Sequence, residues 1–193
     1  MRALYITDGM RKLVDTAFYF VFGFTAFNWA GWPIELRFTE SHLNYYFITL
    51  LCILLPISLF FKILTIGDNR NYLGAFVLSG LLGLGCFVVG GFAYQDANKI
   101  AQSKIDYSFE KLNEIKHKNG YYRLYRTNGG ATTSFGLVLR AESEEFLGIK
   151  LVDRVFSKYK ASEATMNIVG ENIELQIQPY SNEEVVQSVL VKM

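Results

Sequence analysis

Reactive side chains are scarce in this sequence. Among its 193 residues there are two cysteines, two histidines and three prolines. Cys52 and Cys86 both lie inside long apolar runs, so the polar C-terminal half has no cysteine and can form no disulfide. His42 and His117 stand far apart with no cysteine nearby, which argues against a zinc site. No Ser-His-Asp, Cys-His or paired-carboxylate arrangement can be assembled from what remains. No catalytic, cofactor-binding or metal residue is therefore assigned, and the chain is read as a non-enzyme with no cofactor. After residue 118 there are eight Lys or Arg and nine Asp or Glu, with no block of one sign. Direct binding of nucleic acid is not expected from such a surface.

What the chain has in abundance is apolar sequence, 51% overall, and most of it sits in the first half. Three runs stand out: Leu13 to Trp32, Leu43 to Leu64 and Tyr72 to Tyr94. Each is close to the roughly 20 residues that a helix needs to cross about 30 Å of hydrocarbon. The first run is too long for the apolar core of a signal peptide, and bulky Phe27, Trp29 and Trp32 occupy positions where a cleavage site needs small residues. Asp15 lies within one turn of Arg11 and Lys12, a spacing that predicts a paired carboxylate at the headgroups. Pro56 removes a backbone donor midway through the second run and predicts a kink. The expected class is a membrane protein, α+β overall. It has a three-helix transmembrane part (1–94), a juxtamembrane helix (95–118) and a small β-rich soluble domain (119–193).

Short loops rich in Lys and Arg stay in the cytoplasm. Arg2, Arg11, Lys12, Lys62 and Arg70 fall on one side of a three-span protein, and Arg37, Lys99 and Lys104 on the other. Five against three favours a cytoplasmic N-terminus in a bacterial inner membrane and a periplasmic C-terminal domain. Arg2, Arg11, Lys12 and Arg70 are then candidate contacts for a cytoplasmic protein partner.

Small residues in the third run recur at spacings of four and three: Ser79, Gly83, Cys86, Gly90, Ala93 and Ala97. In lipid, helices associate by close van der Waals approach, and small residues permit it. The stripe serves either packing within one subunit or a homo-oligomer seam. Beyond it, Ile105, Phe109, Leu112 and Ile115 keep a helical period and Asn119-Gly120 offers a stop. One helix from about residue 72 to 118 would be roughly 70 Å long, a rod able to relay motion from the membrane to the domain.

After Gly120 the period falls to two. Tyr121–Arg126, Thr133–Arg140 and Ile173–Ile177 read as strands, with Met166 and Ile168 in a further one before the Gly170-Glu171-Asn172 turn. Phe146–Val152 and Val155–Tyr159 fit either strands or short helices. Ser181 with Glu184 predicts a capping box opening a last helix. The domain is expected to be a small antiparallel sheet or open barrel. Asn128, Gly129, Gly130, Thr132, Thr133 and Ser134 form a polar turn, read either as a binding hairpin or as plain turn chemistry.

The segment Tyr122-Arg123-Leu124-Tyr125-Arg126 followed by Gly129-Gly130-Ala131-Thr132-Thr133-Ser134-Phe135 resembles a motif of small bacterial envelope proteins. In those proteins a Gly-Ala-Thr-Thr β-hairpin domain follows a lipoprotein signal or a single span. The resemblance covers Tyr121 to about Tyr180 and implies a domain outside the cytoplasm, but no activity. By overall plan, the chain also resembles the membrane component of antiphage systems such as Kiwa. The expected function is an oligomeric sensor or adaptor that relays an envelope or membrane signal to a soluble partner. The alternatives are an immunity or superinfection-exclusion protein and a membrane-disrupting effector gated by its soluble domain.

Overall fold

The structure is a computed structural model of the chain, and it describes residues 7–29, 34–66, 72–118, 120–128, 134–181 and 184–193. The chain divides into a helical unit, residues 1–32 and 41–102, and a β unit, residues 33–40 and 103–193.

The helical unit holds α1 (Asp8–Trp29), α2 (Ser41–Thr65) and α3 (Tyr72–Ser103). Thr7 caps α1: its carbonyl accepts from the Arg11 N–H and its Oγ1 from the Met10 N–H. By length and composition, α2 and α3 are the two helices among the described residues able to cross a membrane. A small core of Cys52, Leu55 and Cys86 binds the three helices together, with Val21, Ile48 and Leu82 packed around it. Asp15 pairs differently from expectation. Its Oδ1 accepts a hydrogen bond from Lys62 Nζ of α2 at 2.7 Å. A bonded partner on the facing helix ties two helices together, which Arg11 or Lys12 on its own helix could not do.

The β unit holds two antiparallel sheets. Five strands, β1 (Ile34–Phe38), β2 (Phe109–His117), β3 (Gly120–Thr127), β4 (Gly136–Ser143) and β5 (Ile149–Tyr159), are ordered β1-β5-β4-β3-β2. Three more, β6 (Ala164–Val169), β7 (Asn172–Ile177) and β8 (Gln187–Lys192), form the second sheet, ordered β6-β7-β8. One apolar core joins them. Leu124, Leu137 and Leu139 come from the first sheet, and Met166, Ile173, Leu175 and Ile177 from the second. Fully burying a side chain of this size contributes about 1.5–3 kcal/mol.

Three expectations are corrected here. The helix expected to run to residue 118 stops at Ser103, Lys104 turns left-handed at φ 60°, and Phe109–His117 is a strand. Its helical period is produced by a bulge. The register with β3 jumps between Lys111 and Asn113, so Leu112 and Ile115, three apart, both pack on the core. Among the described residues the expected last helix does not form: residues 187–192 pair with β7 as a strand. Finally, the domain does not begin at residue 119. It takes in β2 and, from the connection between α1 and α2, the strand β1, which pairs with β5 from Ile34↔Asp153 to Phe38↔Ile149. The two segments read as strand or helix, 146–152 and 155–159, belong largely to the single long strand β5.

Candidate functional site

Two places in the chain concentrate features beyond ordinary packing: the contact of α2 with α3, and the face of the five-stranded sheet turned away from the apolar core.

The small-residue stripe of α3 lies in the first of these. Ser79, Cys86, Gly90, Ala93 and Ala97 are buried and Gly83 is half-buried. Their neighbour is α2 of the same chain. A methyl group on Gly90 would stand 2.9 Å from Cys52 Cβ, and one on Gly83 would stand 3.7 Å from Pro56 Cβ. Thr49 Oγ1 donates to the Gly90 carbonyl at 3.2 Å, and Tyr46 Oη donates to Asn98 Oδ1 at 2.7 Å. Gly83, Cys86 and Gly90 of the stripe thus pack against α2 within one subunit. Beside it runs an apolar groove of about 490 Å³, lined by Thr49, Cys52, Pro56, Gly83, Cys86 and Gly90 among others.

The second place is polar. Alternation along β3 puts Tyr121, Arg123 and Tyr125 on the face opposite Leu124, pairing brings Arg140 and Glu142 beside them, and Lys150 of β5 reaches Glu142 by its side chain. Glu142 is the hub. Its side chain is fully buried, yet Arg123 Nη1 and Lys150 Nζ each donate to its Oε2 at 2.6 Å and Tyr125 Oη to its Oε1 at 2.7 Å. Burial alone would push this carboxyl up. The bonds from Lys150, Tyr125 and Arg123 outweigh burial and hold it below its ordinary value. Burial, with Glu142 beside it, pushes the Tyr125 phenol up. Arg123 also bonds Glu114 at 2.6 Å, which draws that carboxyl down in turn. A carboxylate held by three donors is a structural anchor and not a free base.

Arg140 is different. Its guanidinium stacks 3.9 Å from the Phe109 ring centroid and 5.5 Å from that of Tyr125, and its buried Nε has no hydrogen-bond partner among the described residues. Burial, then the nearby Arg37, lowers its pKa. Next to this face, an open cleft of about 420 Å³ is lined by His117, Tyr121, Tyr122, Glu142, Asp153 and Met193, with Gly120 at its edge.

The polar turn is described only at its ends. The Asn128 N–H donates to the Ser108 carbonyl, and the Ser134 N–H to Tyr159 Oη. Gly129, Gly130, Thr132 and Thr133 lie outside the described residues, as do Arg2 and Arg70. Arg11 and Lys12 are exposed in the first turns of α1. Sequence reasoning missed the Glu142 hub, although the alternation Tyr121-Arg123-Tyr125 marks a polar face. Comparison with protein-family models, curated proteins and solved structures finds no match.

Proposed function

We propose that this chain is a multi-pass bacterial inner-membrane sensor or adaptor. On this reading α1 is a third span and the β unit lies outside the cytoplasm. Rearrangement of the helices is relayed to a soluble partner, in antiphage defence or another envelope response. The observation that carries the reading is the β1–β5 ladder. Five residues from the connection between α1 and α2 form the edge strand of the C-terminal sheet. Phe38 lies three residues before Ser41, where α2 begins. On this reading a shift of α2 drags β1 along or strips it from β5. This ladder takes the place of the continuous rod expected from sequence.

The ladder keeps residues 34–38 on the same side as the domain, as two crossings by α2 and α3 require whether or not α1 also spans. The homo-oligomer belongs to the same proposal. It would use a surface other than Gly83 and Gly90, which face α2.

The test is hydrogen exchange of the full chain in nanodiscs, comparing wild type with Gly90→Leu, which wedges α3 from α2. A relay raises exchange at the β1 and β5 amides while β7 stays protected. Changed exchange in α2 and α3 with an unaltered β1–β5 ladder would refute it.

A further inference from the structure

On β1 the usual burial of an edge strand is inverted. The charged residues Glu35 and Arg37 are half-buried and bonded to each other, whereas Ile34 and Leu36 are exposed. Leu36 pairs directly with Leu151, itself exposed, so the apolar surface continues onto β5. Two further residues extend it at the turn before β5: Phe146 is 76% exposed and Leu147 is 85% exposed. A soluble sheet edge blunts itself with outward charge, and this one does the opposite.

The turn is held in an unfavourable conformation. Phe146 and Ile149 exchange backbone hydrogen bonds at 2.8 and 3.0 Å around Leu147 (φ 52°) and Gly148 (φ 78°). Two left-handed residues in succession make a turn that favours Asn-Gly. A bulky Leu in the first position is disfavoured, because its Cβ crowds the backbone. Such strain at an exposed apolar side chain points to a contact that the side chain makes outside the protein.

Chain continuity says what the contact is. The Thr39 N–H donates to the Gly148 carbonyl at 2.9 Å, and α2 begins two residues later at Ser41. Two residues span at most about 7 Å, so the turn is tied next to the point where α2 enters the bilayer. We infer that Ile34, Leu36, Phe146, Leu147 and Leu151 form a lipid-dipping surface that seats the edge of the domain in the headgroup and upper acyl layer. The inference rests on the membrane reading of α2 and α3. It adds that the domain is docked on lipid and does not hang free on its connections. Apolar side chains at such a boundary bury about 5–10 Å into it.

The test uses the full chain with Cys52→Ala and Cys86→Ala, reconstituted in phosphatidylcholine nanodiscs with or without a nitroxide on the upper acyl chain. A polarity-sensitive fluorophore is placed at Leu147→Cys and, separately, at Phe146→Cys. A third probe at Phe87→Cys, on the exposed face of α3, reports whether that helix lies in lipid. The expected result is blue-shifted emission at 146 and 147, most of it lost to the nitroxide. If 87 is quenched while 146 and 147 emit as in water, the dipping surface is overturned and the spans stand. Blue-shifted but unquenched emission at 146 and 147 means a protein occupant, which also overturns it. If 87 is unquenched as well, the membrane reading itself fails.

Discussion

Replacing Glu142 by Gln should be among the most damaging single changes available in the β unit. The carboxylate is fully buried and takes two cationic donors at 2.6 Å and a phenol at 2.7 Å. Gln keeps an oxygen for Lys150 and Arg123 but loses the charge that compensates them. Removing one partner from a buried ion pair costs about 3–5 kcal/mol, and the surviving acceptor places Glu142→Gln near the lower end, about 3 kcal/mol. Tyr125→Phe removes one hydrogen bond to a charged group, worth about 1.5–3 kcal/mol, and should cost about half as much as Glu142→Gln. Against a typical domain stability of about 5–15 kcal/mol, the loss is large. Both folded-state carboxyls, Glu142 and Glu114, sit below their ordinary value of 4.5. Their stabilisation is therefore complete above 4.5 and is lost as pH falls through the lower folded values. Urea-dependent hydrogen exchange at the β3 and β4 amides, in nanodiscs from about pH 6 to about pH 3, measures both effects. Wild type should lose stability over the acid half of that range, and Glu142→Gln should lose less there. A Gln variant no weaker than Tyr125→Phe, or one whose acid profile overlays that of wild type, would refute the hub.

Three further outcomes follow from the geometry. Gly120→Ala brings a methyl to 2.5 Å from the Glu142 backbone oxygen, so β3 and β4 must part locally; a cost of about 1–3 kcal/mol should appear in the same exchange measurement. Asp15→Asn leaves Lys62 without its ion pair at the α1–α2 contact and should lower the melting temperature in nanodiscs, with partial recovery when Lys62→Met is added, because an unpaired charge in a span costs more than none. A periplasm-active reporter fused after Met193 should be active and a cytoplasm-active one silent, and the opposite result would invert the proposed topology.

Legibility of the fold in the sequence followed the kind of signal. The apolar runs located all three helices, α2 to within two residues at each end, because a run of some twenty apolar residues has few alternatives, but α3 ends at Ser103 and not at the expected residue 118. β7 was equally plain, since Ile173, Leu175 and Ile177 are buried in strict alternation. β2 misled for a definite reason. A bulge places Leu112 and Ile115 on one face three residues apart, which is also the spacing of a helix. β1 was invisible because a five-residue strand between two helices carries no period long enough to read, and its pairing partner lies more than a hundred residues away. The Glu142 hub depends on three strands meeting in register, and register is a property of the folded sheet. The small-residue stripe reads as a close-contact surface in the sequence, but a sequence does not distinguish α2 of the same chain, against which Gly83 and Gly90 lie, from a second copy.

The misread β2 and the unseen β1 change what kind of device this chain can be. A continuous helix would transmit any tilt of α3 stiffly and in proportion. The chain instead breaks at Lys104, and on the relay reading the coupling falls to the five-pair ladder of β1 on β5. A ladder is held or released. With about five hydrogen bonds at a net 0.5–1.5 kcal/mol each, release of β1 costs on the order of 5 kcal/mol, similar to the roughly 5.5 kcal/mol needed to swing a two-state equilibrium from one side to the other. Lipid contact at Leu36 and Leu151 would set where that balance lies, since releasing β1 separates this cross-strand pair. On the relay reading, signal strength should therefore depend on lipid packing at the headgroup boundary, and Leu36→Asn should shift the ladder toward release in nanodiscs without changing exchange in β7. If Leu36→Asn leaves the β1–β5 amides as protected as in wild type, the ladder is a static tether and the relay has no switch.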